Sequence, residues 1–194
     1  LEKEAIDYFI HKAGSENGVI NGGLAIFASG NEYAAQSSFP AAYSKCISVA
    51  ALASDYTPAS YSNYGSEVLL SAPGGDLEYH GWIGEEDNQD FQDAILSTLV
   101  LNGEACYGYY EGTSMACPHV SGVAALALSS AVDHGIRLTN DDLYDIICSS
   151  VNDIDHRLYG SKTVYTYSGK VSQIVLDDYR GKMGIGMVDA LYAV

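Results

Sequence analysis

Ser114 lies in the string Glu111-Gly112-Thr113-Ser114-Met115-Ala116-Cys117-Pro118-His119-Val120-Ser121-Gly122, just before an apolar run from Val123 to Leu128. A serine at the start of a buried helix has free backbone N–H groups and the positive end of the helix dipole beside it. Its own N–H can then hold a developing oxyanion while its hydroxyl attacks a carbonyl. Gly112, Ala116 and Gly122 are small enough for such a helix to pack closely beneath the site. Taken alone, Ser114 would more simply be a helix cap. The second candidate is Asn31, in Phe27-Ala28-Ser29-Gly30-Asn31-Glu32. A side-chain amide is a neutral donor of fixed direction, suited to the same oxyanion. Taken alone, Gly30-Asn31 reads as a turn.

The two strings together carry more than either alone. The first resembles the nucleophile motif of the subtilases, Gly-Thr-Ser-Met-Ala-x-Pro-His-Val-x-Gly, and matches it at every fixed position. The second is similar to that family's Ala-Ala-Gly-Asn-Glu. Weaker matches follow in order: Phe39-Pro40-Ala41-Ala42-Tyr43 with Ile47 to Ala51, Tyr61-Ser62-Asn63-Tyr64-Gly65 through Ala72-Pro73-Gly74, and Gly186-Met187-Val188-Asp189-Ala190. The resemblance implies that Ser114 is the nucleophile of a serine endopeptidase, that Asn31 serves the oxyanion hole, and that His119 is structural. It implies that Ala28, Ser29, Gly30 and Thr113 lie in the substrate-binding region, with the segment near Phe39.

In the same family the triad runs Asp, His, Ser along the chain. No His-Gly-Thr string is present, and His11, His80, His134 and His156 read as surface residues. Residues 1–194 therefore resemble the C-terminal portion of the catalytic domain, with the aspartate and histidine expected upstream and the piece inactive by itself. The alternative is a subtilase-fold scaffold that has lost the chemistry. No cofactor is required for the implied reaction. The resemblance allows a structural cation, calcium or sodium, on carbonyls of Ala41 and Tyr43, although Leu69 stands where an aspartate would help. Relatives are mostly secreted, which implies an extracellular or periplasmic location.

The surrounding pattern supplies elements to position these residues. Leu1, Ala5, Ile6, Phe9 and Ile10 fall on one face of a helix from Leu1 to Lys12. A chain opening inside a helix, without Met, is expected to be a fragment. Gly23–Ala28, Cys46–Leu52 and Val68–Ser71 are short apolar runs, as in strands buried on both faces. Ile95–Leu101 predicts a further strand. Gly112–Ser130 predicts a helix apolar nearly all round and hence buried, with Pro118 in its first turn. Thr139, with Asp142 three residues on, predicts the cap of a helix over about Asn140–Val151. Lys162–Leu176 alternates, predicting a hairpin near Ser168-Gly169, and the closing glycine-rich string predicts a turn into a short helix. Strands alternating with helices make this an α/β protein, a mostly parallel sheet flanked by helices. Residues 76–93 hold seven Asp or Glu and no Lys or Arg. They read as an acidic insertion, with Asp87, Asn88 and Asp90 a solvated loop more than a calcium site.

Composition sets the outer bounds. The 194 residues are 47% hydrophobic and 18% charged, enough for one packed core. The net charge of −16, from 9 basic and 25 acidic residues, excludes the basic patch that nucleic acid needs. No run of about 18 apolar residues predicts a membrane span. Four cysteines without C-x-x-C spacing argue against zinc. Cys46 and Cys148 read as buried free thiols, and any disulfide pairing is open. Among the 16 tyrosines, Tyr107, Tyr109 and Tyr110 fit a surface strand better than a cleft rim.

Overall fold

The computed structural model describes residues 1–14, 18–77, 93–165 and 171–194. The acidic stretch lies mostly outside them, with His80, Asp87, Asn88 and Asp90, as does the turn at Ser168-Gly169. At the centre is β3 (Ile47–Leu52), with every residue buried. Its pleat sends alternate residues to opposite faces. Ile47, Val49 and Ala51 join the cluster around α2 (Thr113–Asp133), whereas Ala50 and Leu52 face Leu158, Val164, Ile174, Tyr179 and Met183. Helix covers one face of the sheet and the C-terminal segment the other.

β3 pairs in parallel with β2 (Ile26–Ala28) on one side and β4 (Leu70–Pro73) on the other. β11 (Met187–Val188) adds in parallel to β4, and β8 (Val151–Asn152) closes the sheet antiparallel to β11. The order is β2-β3-β4-β11-β8. The mostly parallel sheet expected from sequence is present. The closing glycine-rich string differs from expectation, since Met187 and Val188 take a place in the sheet. β5 (Ile95–Leu101) also departs, pairing among the described residues only with β6 (Glu104–Tyr110), as an antiparallel hairpin. Tyr107, Tyr109 and Tyr110 are exposed on it. The C-terminal hairpin is β9 (Ser161–Tyr165) with β10 (Val171–Val175). The two-residue strands β1 (Ile20–Asn21) and β7 (Leu138–Thr139) pair in parallel.

α2 is not buried all round. Ala116, Val120, Val123, Ala124 and Ala127 form one inward stripe, while Leu126 on the outer face is 53% exposed. Ile95, Leu96, Met115, Pro118, Val123 and Leu126 line an open apolar groove of about 590 Å³. A second groove, lined by Leu24, Ile26, Ala124 and Leu128 among others, follows the free edge of β2. α2 also has the length and mean hydropathy of a membrane span, properties shared by core helices of soluble proteins. α1 (Glu2–Lys12) likewise buries only Ile10, with Ile6 partly covered and Phe9 exposed. All four cysteines are free thiols, and Cys46 is buried while Cys148 is half-buried. Burial pushes both thiols up, away from reactive thiolate.

α3 (Asn140–Ser149) ends two residues earlier than its apolar pattern predicts, but its start is as the sequence indicates. Thr139 Oγ1 accepts from Asp142 N, and Asp142 Oδ2 accepts from Thr139 N at 2.8 Å. The donations to that carboxylate from Thr139 N and from the Thr139 hydroxyl, the latter at 2.7 Å, hold the Asp142 carboxyl below its ordinary value. A depressed folded pKa stabilises above the unfolded aspartate range and is lost as pH falls through the folded value. Thr139→Ala is expected to cost about 1 kcal/mol. The destabilisation by Asp142→Ala should shrink as pH is lowered below the ordinary aspartate range, read from melts in a pH series.

Candidate active site

Ser114 is not a cap. The N-cap of α2 is Gly112, whose carbonyl accepts from Met115 N and Ala116 N, and no side chain caps the helix. Ser114 occupies the second helical position and is exposed. Among the described residues its hydroxyl has no hydrogen-bond partner. Pro118 sits further inside the helix than the expected first turn, because the helix starts at Thr113. Its missing N–H leaves the Ser114 carbonyl without its helical donor.

Asn31 follows β2 and is tied to the helix start by Thr113. Thr113 N donates to Asn31 Oδ1 at 2.9 Å, and Thr113 Oγ1 donates to the same oxygen at 2.7 Å. The Thr113 hydroxyl in turn accepts from Gly30 N at 3.3 Å. With its carbonyl end fixed by two donors, Asn31 must present Nδ2 on the other side. A Cβ placed on Gly112 would stand 3.6 Å from Asn31 Nδ2 and 3.6 Å from Ser114 N. The nitrogens of two potential donors therefore lie within 3.6 Å of one point beside Gly112. Gly112 itself has φ +143°, a conformation that L side chains rarely adopt.

A turn behind the site holds Gly112. Gly112 N donates to Gly74 O at 2.9 Å, and Tyr61 Oη donates to the carbonyls of Gly74 at 3.0 Å and Gly75 at 2.5 Å. A Cβ on Gly74 would collide with Ala51 and crowd the Gly112 carbonyl, so this approach needs glycine. Glu111 Oε2 accepts from Leu77 N at 2.6 Å, tying the next residues of the turn.

The other named residues fall into place around this core. Ser29 and Thr113 are buried, and the Ser29 hydroxyl donates to Asn63 O at 3.3 Å. Ala28 ends β2 and Gly30 opens the loop that carries Asn31. His119 is exposed, and its Nδ1 lies 2.8 Å from Met115 O within the same helix. Burial pushes the Cys117 thiol up, and its Sγ contacts Ile26 O at 3.6 Å, so it is no rival nucleophile. His11, His134 and His156 are exposed. Tyr43 O accepts from Cys46 N, and the ammonium groups of Lys3 and Lys45 lie over the Tyr43 ring. Among the described residues, no group of three His, Cys, Asp or Glu is placed to hold a metal.

Sequence reasoning assigns no role to Asn63. It stands only within the family-like string at residues 61–65, yet it is 1% exposed and bonded to both sides of the Asn31 loop. An asparagine beside serine gives no local signal of that burial.

Comparison with known proteins follows the same residues. A family model, that of the subtilase family, matches residues 2–171. Halolysin of Haloferax mediterranei is 40% identical over 150 residues, covering 75% of this chain and 25% of that protein. An extracellular basic protease of Dichelobacter nodosus is 37% identical over 143 residues, 71% of this chain and 21% of that protein. Among solved structures, a protease from Pseudoalteromonas arctica superposes with a TM-score of 0.62 at 28% identity, over 88% of this chain and 42% of that one. A lanthipeptide protease reaches the same TM-score of 0.62 at 23% identity, over 88% of this chain and 50% of that one, a likeness of fold alone. The chain thus spans about a quarter of those two relatives and half or less of those two solved chains.

The tie between Thr113 and Asn31 makes a direct prediction. Thr113→Val keeps the volume but removes one bond to Asn31 Oδ1 and the acceptor of Gly30 N–H. The loss should be about 1–3 kcal/mol, seen as a lower denaturation midpoint of the full-length protein.

Proposed function

Since this chain belongs to the subtilase family, we propose that it carries the nucleophile and oxyanion hole of a secreted serine endopeptidase. The observation that carries the reading is the convergence of Ser114 N and Asn31 Nδ2 beside an exposed, unpartnered Ser114 hydroxyl. Ser114 Oγ attacks the scissile carbonyl carbon as a histidine takes its proton. The carbonyl π electrons move onto oxygen, which accepts hydrogen bonds from Ser114 N and Asn31 Nδ2. Collapse breaks the C–N bond, and the histidine protonates the leaving amine. Water then attacks the acyl-enzyme by the same route and frees Ser114. Ala28, Ser29 and Gly30 offer backbone to the acyl-side residue of a peptide or protein substrate. Thr113 aims Asn31. No cofactor enters these steps.

The histidine, and the aspartate that orients it, are proposed to come from sequence preceding Leu1, in the Asp, His, Ser order of the family. Two features support a place for that part of the domain. The groove along α2 begins at Met115, Pro118 and His119, beside Ser114, and among the described residues β2 has an unpaired edge. Residues 1–194 alone should then fail to turn over a peptide ester. The extracellular names of relatives support secretion.

A fluorophosphonate added to the full-length protein should give one adduct by intact mass, absent in Ser114→Ala. Asn31→Leu should lower kcat by about 10²–10³ with KM little changed, as for loss of one oxyanion donor. A folded protein that takes no adduct would instead be a scaffold of this fold.

A further inference from the structure

We propose that Asn63 is the positioning residue of the oxyanion loop, clamping the chain on both sides of Asn31. The inference rests on the proteolytic reading of Ser114 and Asn31. Asn63 Oδ1 accepts from Glu32 N at 3.0 Å and from Ala34 N at 2.9 Å. Asn63 Nδ2 donates to Ser29 O at 3.1 Å and to Glu32 Oε2 at 2.7 Å. All four capacities of the amide are used, and only one orientation of the group satisfies two N–H donors and two oxygen acceptors. The Asn63 backbone adds to the grip, its N–H donating to Gly30 O at 2.9 Å and its carbonyl accepting from Ser29 Oγ at 3.3 Å. Gly30 has no room for a Cβ because Asn63 Nδ2 fills that space.

The contacts fall on residues 29, 30, 32 and 34 and omit Asn31 itself. Asn63 thus fixes the backbone from which the Asn31 amide is aimed and leaves Nδ2 of Asn31 free for an oxyanion. Thr113 sets the carbonyl end of Asn31, and Asn63 sets its main chain. A misplacement of a donor by a fraction of an ångström is enough to weaken catalysis. Asn63 also orients the Glu32 carboxylate, which Ser38 Oγ meets at 3.4 Å. Glu32 is the one titratable side chain that Asn63 touches among the described residues.

That contact gives a test that a purely structural asparagine would not pass. Asn63→Asp keeps both acceptor bonds but sets a second carboxylate against Glu32. Two carboxylates sharing one site raise the pKa of one of them; at higher pH both are charged, they repel and the loop shifts, and on acidification one shared proton restores the clamp. The ratio of variant to wild-type kcat in the full-length protein should rise at least about tenfold from about pH 8 to about pH 5.5. The double variant Asn63→Asp with Glu32→Gln should remove this rise and recover kcat at the higher pH. Asn63→Ala should lower kcat by about 10–100-fold, less than loss of the donor itself, with KM changed little. Its Glu32 and Ala34 amides should exchange with solvent at least about tenfold faster. A flat ratio across pH, or unaltered exchange at Glu32 and Ala34, would overturn the clamp. Exchange is read without turnover, so a wild type that cleaves nothing would sink the proteolytic reading while these amides still decide the role of Asn63.

Discussion

The site depends on one junction, the pair of hydrogen bonds from Thr113 to Asn31 Oδ1. The two residues are 82 apart in the chain, and each alone is unremarkable as chemistry. One follows the edge strand β2; the other opens the core helix α2. Joining them at 2.7 and 2.9 Å turns a flexible amide into a fixed donor and brings it over the first free N–H of the helix. In the proposed reaction both donors are oriented before substrate arrives, so no reorganisation is needed when charge develops. Without that junction Ser114 would be an exposed hydroxyl beside an unrelated turn.

The remainder of the fold serves to make the junction reproducible. β3 is buried on both faces and sets the height of β2 and β4 against α2. β4 ends in a turn whose Gly74 carbonyl holds Gly112 N, and Tyr61 holds the turn. Two glycines are needed for different reasons. Gly112 takes a backbone conformation closed to side chains, and Gly74 allows an approach that a methyl group would block. Asn63 holds the Asn31 loop from behind. Thus three connections locate the donors from separate parts of the fold: Thr113 at the start of α2, Gly74 in the turn after β4, and Asn63 in the loop between β3 and β4.

The central strand and the core helix were legible because their signals are physical. Six successive small or apolar residues in β3 leave no exposed face. The capping pair Thr139 and Asp142 marks the start of α3 on its own. Ser114 and Asn31 were singled out by strings whose order along the chain matches a family. What stayed hidden depended on the tertiary setting. Leu126 is as apolar as Val120, yet one faces the groove and the other the sheet. Ile95–Leu101 has a strand pattern, but nothing in it tells a hairpin arm from a sheet member. Met187 and Val188 follow Gly184 and Gly186, which suggest only a turn. Asn63 gives no local sign that it is buried.

The central claim is that Ser114 N and Asn31 Nδ2 bind one oxygen. A crystal structure of the full-length protein with a peptide boronic acid would measure this. The account predicts boron bonded to Ser114 Oγ, with one boronate oxygen about 2.7–3.1 Å from both nitrogens. A boronate oxygen turned away from Asn31, or held by other donors, would contradict it.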